Sequence, residues 1–249
     1  MTALLEVRNL TKSFGGLKVT NHVDLTLEPG ARMALIGPNG AGKTTLVNLI
    51  TGALAASGGS VRLMGEDVSA LPEPVRAARG LIRTFQVTRL FGSMTVAENL
   101  RIGAIHRQRR SYAILRRTAV EQALDEAVAR VLAQLRLTDR ADTPVARLAY
   151  GEQRLVELGI ALVMEPRVLL LDEPAAGVPQ SESHIIMDAI DDLPEDLGVV
   201  FIEHDMDLVF RFATEIVVLV SGAVICTGTP SEIAANEEVR RVYFGEAAH

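Results

Sequence analysis

The nine residues "GPNGAGKTT", 37 to 45, stand between the apolar run "RMALI" and the helix-forming "LVNLI". No other stretch constrains the chain as much. Glycines at 37, 40 and 42 remove the side chains that would stop the backbone from curling, and curled N–H groups at a helix start make an anion cradle. The pattern G-x-x-x-x-G-K-[ST] between a strand and a helix is that of a phosphate-binding loop. Gly37, Gly40 and Gly42 are expected to shape it, with Pro38, Asn39 and Ala41 supplying backbone between them. Lys43 is placed to reach the β- and γ-phosphates of a nucleotide, the Thr44 hydroxyl to ligate Mg2+, and Thr45 to complete the contacts. The plain alternative is a glycine-rich turn with an exposed lysine.

A second segment supplies what such a loop lacks. The buried-looking run "VLLL", 168 to 171, ends on Asp172 and Glu173. Adjacent carboxylates repel, and a buried one needs a cation or hydrogen bonds. Asp172 is expected to hold the Mg2+, and Glu173 to orient the attacking water and accept its proton. A helix cap ahead of Gln180 is the alternative for the pair. Gln86, after "LIRTF", would reach the metal or the water, and His204, after "VVFIE", would bond the γ-phosphate. A single Gln or His has bland explanations, but both follow apolar runs, and open parallel sheets bind ligands at the carboxyl ends of their strands.

Periodicity divides the chain into three sections. Residues 4 to 36 alternate in short β-like runs, with Pro29-Gly30 as a turn. From Thr95 to Glu165 the apolar spacing is helical, opening with the capping-box pair Thr95 and Glu98. Residues 168 to 227 return to strand and helix alternation, and "EIVVLVSGAVICTG" is interrupted at Ser221-Gly222 into two strands. The expected fold is α/β: a P-loop NTPase core with a mostly parallel sheet, an N-terminal antiparallel β section and an inserted helical subdomain. The core would comprise 1–88 and 166–249, and the helical subdomain 89–165.

Composition excludes several classes. With 48% hydrophobic residues in 249 the chain is globular, and its net charge of −6 argues against a general nucleic-acid binder. Cys226 is the only cysteine, so no intrachain disulfide forms and a reducing compartment is expected. No basic segment precedes a long apolar one at the N-terminus, and no apolar run approaches the ~20 residues of a membrane helix.

In the order "GPNGAGKTT", "RTFQ", "LAYGEQR", "LLLDEP", "IEHD", the sequence resembles the ATP-binding-cassette ATPases over essentially its whole length. "KSFGGLKVTNHVDL", "RTFQVTRLFGSMTVAENL", "LDEPAAGV" and "RRVYFGE" are similar to the ATPase subunits of branched-chain amino-acid uptake systems. The resemblance implies a two-lobed ATPase at the cytoplasmic face of the membrane. It would work as a homo- or heterodimer that holds each ATP between one subunit's loop and the other's signature segment, here 148–152. It implies integral-membrane permease subunits as partners, with a periplasmic or extracellular substrate-binding protein acting through them. Phe14 falls where the family stacks an aromatic ring on adenine, and Ala149, Gly151 and Glu152 where it contacts the partner's nucleotide. The family's usual Leu-Ser-Gly-Gly-Gln is Leu-Ala-Tyr-Gly-Glu here, and Pro179 replaces an Asp. The missing hydroxyl is expected to weaken closure by roughly ten- to a hundredfold.

Two other functions fit parts of the chain. A stand-alone cassette ATPase acting on nucleic acid or ribosomes would carry basic extensions or a second cassette, and a P-loop kinase would not explain the signature segment or His204. The arginine-rich stretch 106–117 is a solvated helix end or a contact for anionic headgroups, and Leu90 and Phe91 are candidates for a permease-docking surface.

Overall fold

The structure, a computed structural model, describes residues 2–84, 90–108 and 117–244. Gln86 and the 109–116 part of the arginine-rich stretch lie outside the described residues. Strands β1 (Leu5–Phe14) and β2 (Leu17–Leu27) form a hairpin, and β3 (Arg32–Ile36) leads through the glycine loop into α1 (Lys43–Thr51). Strands β4 (Gly58–Leu63) and β5 (Glu66–Asp67), the short helix α2 (Glu73–Ala77) and β6 (Leu81–Arg83) follow. Three helices come next, α3 (Val96–Gln108), α4 (Arg117–Gln134) and α5 (Tyr150–Leu162). The chain then runs through β7 (Val168–Asp172), α6 (Gln180–Asp191), β8 (Gly198–Ile202), α7 (Met206–Phe212), β9 (Glu215–Val220) and β10 (Ala223–Gly228). Helices α8 (Pro230–Ala235) and α9 (Glu237–Phe244) end the described residues.

Two compact units emerge. The first comprises Met1–Arg83, Arg167–Glu173 and Glu195–His249, the second Thr84–Pro166 and Pro174–Pro194. The sequence placed 174–194 in the core, whereas these residues group with the helical unit because α6 packs on α5 and buries Ile186, Met187 and Ile190.

In the first unit an antiparallel sheet has the order β2-β1-β4-β5, and a second sheet the order β10-β9-β3-β8-β7-β6. The second is parallel except for β10, which pairs antiparallel with β9 at its edge. Strands β7 and β8 are buried along their whole length. That explains runs such as "VLLL" and "VVFI", since a parallel strand covered on both faces has no polar side to alternate. The order β3-β8-β7-β6 lines up four strand ends: the glycine loop after β3, His204 after β8, Asp172 at the end of β7 and Arg83 at the end of β6.

In the second unit α3 packs on both α4 and α5. Gly103 permits the close approach to α5, since a Cβ there would lie 2.8 Å from the Ile160 carbonyl oxygen. Leu100, Leu124, Leu155 and Val156 fill the interior, and Arg101 on α3 pairs with Glu121 and Asp125 on α4. The capping box at the start of α3 is present in both directions, Thr95 N–H to Glu98 at 2.8 Å and Glu98 N–H to Thr95 Oγ1 at 3.2 Å.

Helix α1 carries the glycine loop at one end and is anchored at the other. Leu46, Leu49 and Ile50 are buried in the core, each stabilising by ~1.5–3 kcal/mol. Its last turn ends at Gly52, whose left-handed φ of 82° lets its N–H return to the Asn48 carbonyl. Arg76 of α2, 3% exposed, donates to the carbonyls of Leu49 and Ile50 at 2.8 and 2.6 Å, and to those of Leu71 and Ser69. A cation at a helix C-terminus satisfies orphan carbonyls and the helix dipole together. Burial holds the Arg76 pKa below its ordinary value, with Asp67 partly opposing the shift. Arg76→Met leaves those carbonyls buried and unpaired, so it is expected to destabilise the protein by about 3 kcal/mol. A urea midpoint equal to the parent's, at unchanged slope, would contradict this.

Candidate active site

The loop after β3 has the geometry of a cradle. A Cβ on Gly37 would fall 2.2 Å from the Leu219 carbonyl oxygen of β9, and one on Gly42 2.7 Å from the Val19 carbonyl oxygen of β2. Both positions therefore exclude side chains by contact. Gly40 instead needs its left-handed φ of 79° and faces open space. Pro38, Asn39 and Gly40 are exposed, while Ala41 is buried and donates its N–H to the Pro38 carbonyl at 3.1 Å. Lys43 is 8% exposed, and its Nζ donates to the Gly37 and Pro38 carbonyls at 2.6 and 3.2 Å. Burial lowers its pKa, and the carboxylates of Glu173 and Asp172 partly restore it. Thr44 is exposed and Thr45 half-buried on the first turn of α1. An ammonium drawn into a glycine loop whose outer rim is open fits a triphosphate.

The carboxylates diverge in their surroundings. Asp172 is buried and its Oδ2 accepts from Arg83 Nη2 at 2.6 Å. Glu173 is the next residue, with a left-handed φ of 49° and its N–H on the Ile202 carbonyl at 3.0 Å. That conformation is strained for a non-glycine residue, and such strain clusters at functional sites. Register explains its partner. Asp172 lies opposite Ile202 in the β7–β8 pair, so the residues just beyond both ends meet, and His204 Nε2 lies 2.8 Å from Glu173 Oε1. The sequence aimed His204 at a phosphate, whereas the structure joins it to the expected base. Asp205, immediately after it, caps α7 by accepting from the N–H groups of Asp207 and Leu208.

The described residues hold no group of three His, Cys, Asp or Glu side chains suited to a metal ion. Thr44 and Asp172 suit a metal that arrives with the phosphates and keeps most of its other ligands from them and from water. Phe14, at the end of β1, is 51% exposed and is therefore not a core residue; Lys12 Nζ lies 5.1 Å from its ring centroid. Such a ring can stack a base.

Within the helical unit, the signature segment opens α5. Ala149 is its N-cap and lacks a side-chain acceptor, so only half of a capping box survives, Ala149 N–H to Glu152 Oε2 at 3.0 Å. Arg140 holds the other Glu152 oxygen at 3.1 Å. The Gly151 N–H donates to Glu182 Oε2 of α6 at 2.8 Å. Tyr150 lies under the Arg154 guanidinium at 5.3 Å and beside Gly177, whose added Cβ would meet its hydroxyl at 3.2 Å. Arg154 also donates to the Ala176 carbonyl at 3.2 Å. The loop after "DEP" is thus fastened to the signature segment of the same unit.

Sequence reasoning missed Arg83, Asn48 and Glu182. A charged residue closing a buried strand, and an Asn one turn after Thr44, were the available signals for the first two. Gln86 cannot be located among the described residues.

Residues 20–176 match the profile of the ABC transporter family, and residues 223–249 match that of the branched-chain amino acid ATP-binding cassette transporters. The chain is 40% identical to the high-affinity branched-chain amino acid transport ATP-binding protein BraF of Pseudomonas aeruginosa, over 98% of each chain. It is 39% identical to LivG of Escherichia coli, which has the same description and the same coverage. Among solved structures, the ADP conformation of MJ1267, an ATP-binding cassette of an ABC transporter, superposes with a TM-score of 0.84 at 30% identity, covering 99% of this chain and 100% of that one. With the loop, the strand-end acids and the signature segment in place, the chain belongs to the ABC transporter family as one of its ATPases.

Proposed function

We propose that this ATPase powers the uptake of branched-chain or closely related amino acids through a separate membrane permease. The observation that carries the reading is the match of residues 223–249 to a branched-chain cassette profile, because it reaches beyond the ATPase motifs that all cassettes share. Full-length similarity to BraF and LivG supports it. None of the described helices is long and apolar enough to cross a membrane, so a permease made of other chains would form the path. The chain would work at the cytoplasmic face, in a dimer with itself or a second ATPase subunit, with a binding protein acting on the permease. Phe91, 55% exposed, suits a docking surface for the permease, since buried Asn99 holds its loop by bonds to Phe91, Met94 and Thr95. The net charge of −6 disfavours a nucleic-acid partner.

The residues divide the work. Phe14 would stack on adenine and Lys43 exchange the loop carbonyls for phosphate oxygens. Thr44 and Asp172 would hold Mg2+ together with Gln86. Bound Mg2+ would neutralise charge on the phosphates. Glu173 would take the proton of the attacking water, with His204 Nε2 keeping its carboxylate in place and a hydrogen bond from His204 to the γ-phosphate requiring that contact to open. Ala149, Gly151 and Glu152 would meet the nucleotide of the second subunit.

Glu173→Gln is expected to lower ATP turnover by roughly 10²–10⁴-fold while leaving Mg-ATP binding in place, and to abolish uptake of leucine by cells carrying the cognate permease. Turnover at the parent rate would remove Glu173 as the base. Parent-like hydrolysis that no branched-chain amino acid stimulates in the assembled transporter would overturn the substrate assignment.

The signature segment yields a second expectation. A phosphate at the Gly151 N–H must displace the Glu182 carboxylate, which repels it. Glu182→Ala is therefore expected to tighten ATP-dependent association of the ATPase subunits by about tenfold, read by sedimentation. An unchanged association constant would mean that the Gly151 N–H is not a phosphate donor.

A further inference from the structure

Arg83 makes a fork that nucleotide binding does not by itself require. Its Nη1 donates to Asn48 Oδ1 and its Nη2 to Asp172 Oδ2, both at 2.6 Å. The side chains of Arg83 and Asp172 are 13% and 7% exposed, so the pair is largely withdrawn from water. Asn48 lies four residues after Thr44 on α1, which puts the two on one face of the helix. The guanidinium therefore ties the helix face bearing Thr44 to the strand end bearing Asp172. Those are the two described side chains assigned to Mg2+. A planar guanidinium can hold two acceptors at fixed angles, which the point charge of lysine cannot.

We propose that Arg83 is a positioning residue for the metal site: it grips Asp172 through Oδ2, leaves Oδ1 for the metal or its water, and fixes the spacing of Asp172 from Thr44 through Asn48. The inference rests on the nucleotide site proposed above. A cation beside a metal ligand also repels the metal. Against that stands the alternative for Asp172, a buried carboxylate that would lose this ion pair and its fixed orientation. Partners that orient a metal ligand are commonly worth 10- to 100-fold in metal affinity, so positioning outweighs repulsion here.

The test is calorimetric titration of ATP into the full chain with Mg2+ and with EDTA, since the ratio of the two affinities isolates what the metal contributes. In Arg83→Met the Mg2+-dependent gain, the ratio of the affinities with Mg2+ and with EDTA, is expected to fall roughly 10- to 100-fold whatever the affinity in EDTA. Arg83→Lys should recover only part of the gain. Asn48→Ala, which keeps the ion pair, should lose less than Arg83→Met. An undiminished gain in Arg83→Met, or complete recovery by lysine, overturns the proposal. Should Arg83→Met fail to fold, Asn48→Ala decides, and a parent-like gain there overturns it equally. A parent that shows no Mg2+-dependent gain would instead sink the metal site itself, and the role of Arg83 with it.

Discussion

Charge taken out of water has to be compensated, and the carboxyl edge of the parallel sheet is organised by that requirement. Lys43, Asp172 and Arg83 all lie there with little exposure. Each uncompensated charge would cost several kcal/mol, which no single apolar contact of the core offsets. The compensation is local. Lys43 bonds loop carbonyls, Asp172 and Arg83 bond each other, and Asn48 takes the remaining arm of the fork. The apolar strands behind them make this possible, because a parallel sheet buried on both faces holds its strand ends in fixed register. A triphosphate with its metal has the charges needed to enter such a row, negative for Lys43 and positive for Asp172.

The two adjacent acids illustrate how backbone geometry separates roles that sequence leaves side by side. Asp172 belongs to β7 and keeps extended geometry, facing Arg83. Glu173 turns to a left-handed φ of 49° and faces His204 instead. One carboxylate is thus held by a permanent cation, suited to a fixed ligand role. The other meets the imidazole of His204 at 2.8 Å.

Legibility in the sequence followed distance along the chain. The glycine loop, the Thr95–Glu98 cap and the strand pair at 215–228 are local patterns, and their residues carry their own geometry. The pairing of Glu173 with His204 was half legible, since each ended an apolar run but nothing set the register of β7 on β8. Arg83 with Asp172 spans 89 residues and Gly151 with Glu182 spans 31, and nothing in composition or periodicity links them. Tyr150 packs beside Gly177, in the loop that also contains Pro179, a contact across 27 residues of sequence. The placement of α6 was misjudged for the same reason: its spacing marks a helix, while its partner α5 is a tertiary fact.

The proposed nucleotide site depends on Lys43 as the buried cation that meets a triphosphate. Titrating Mg-ATP into the parent and into Lys43→Ala by calorimetry measures that dependence directly. A charge-assisted contact to phosphate is worth ~1.5–3 kcal/mol, so the variant should bind roughly ten- to a hundredfold more weakly, with its unfolding transition preserved. Equal affinity in the two proteins would mean that the loop after β3 is not where the nucleotide sits.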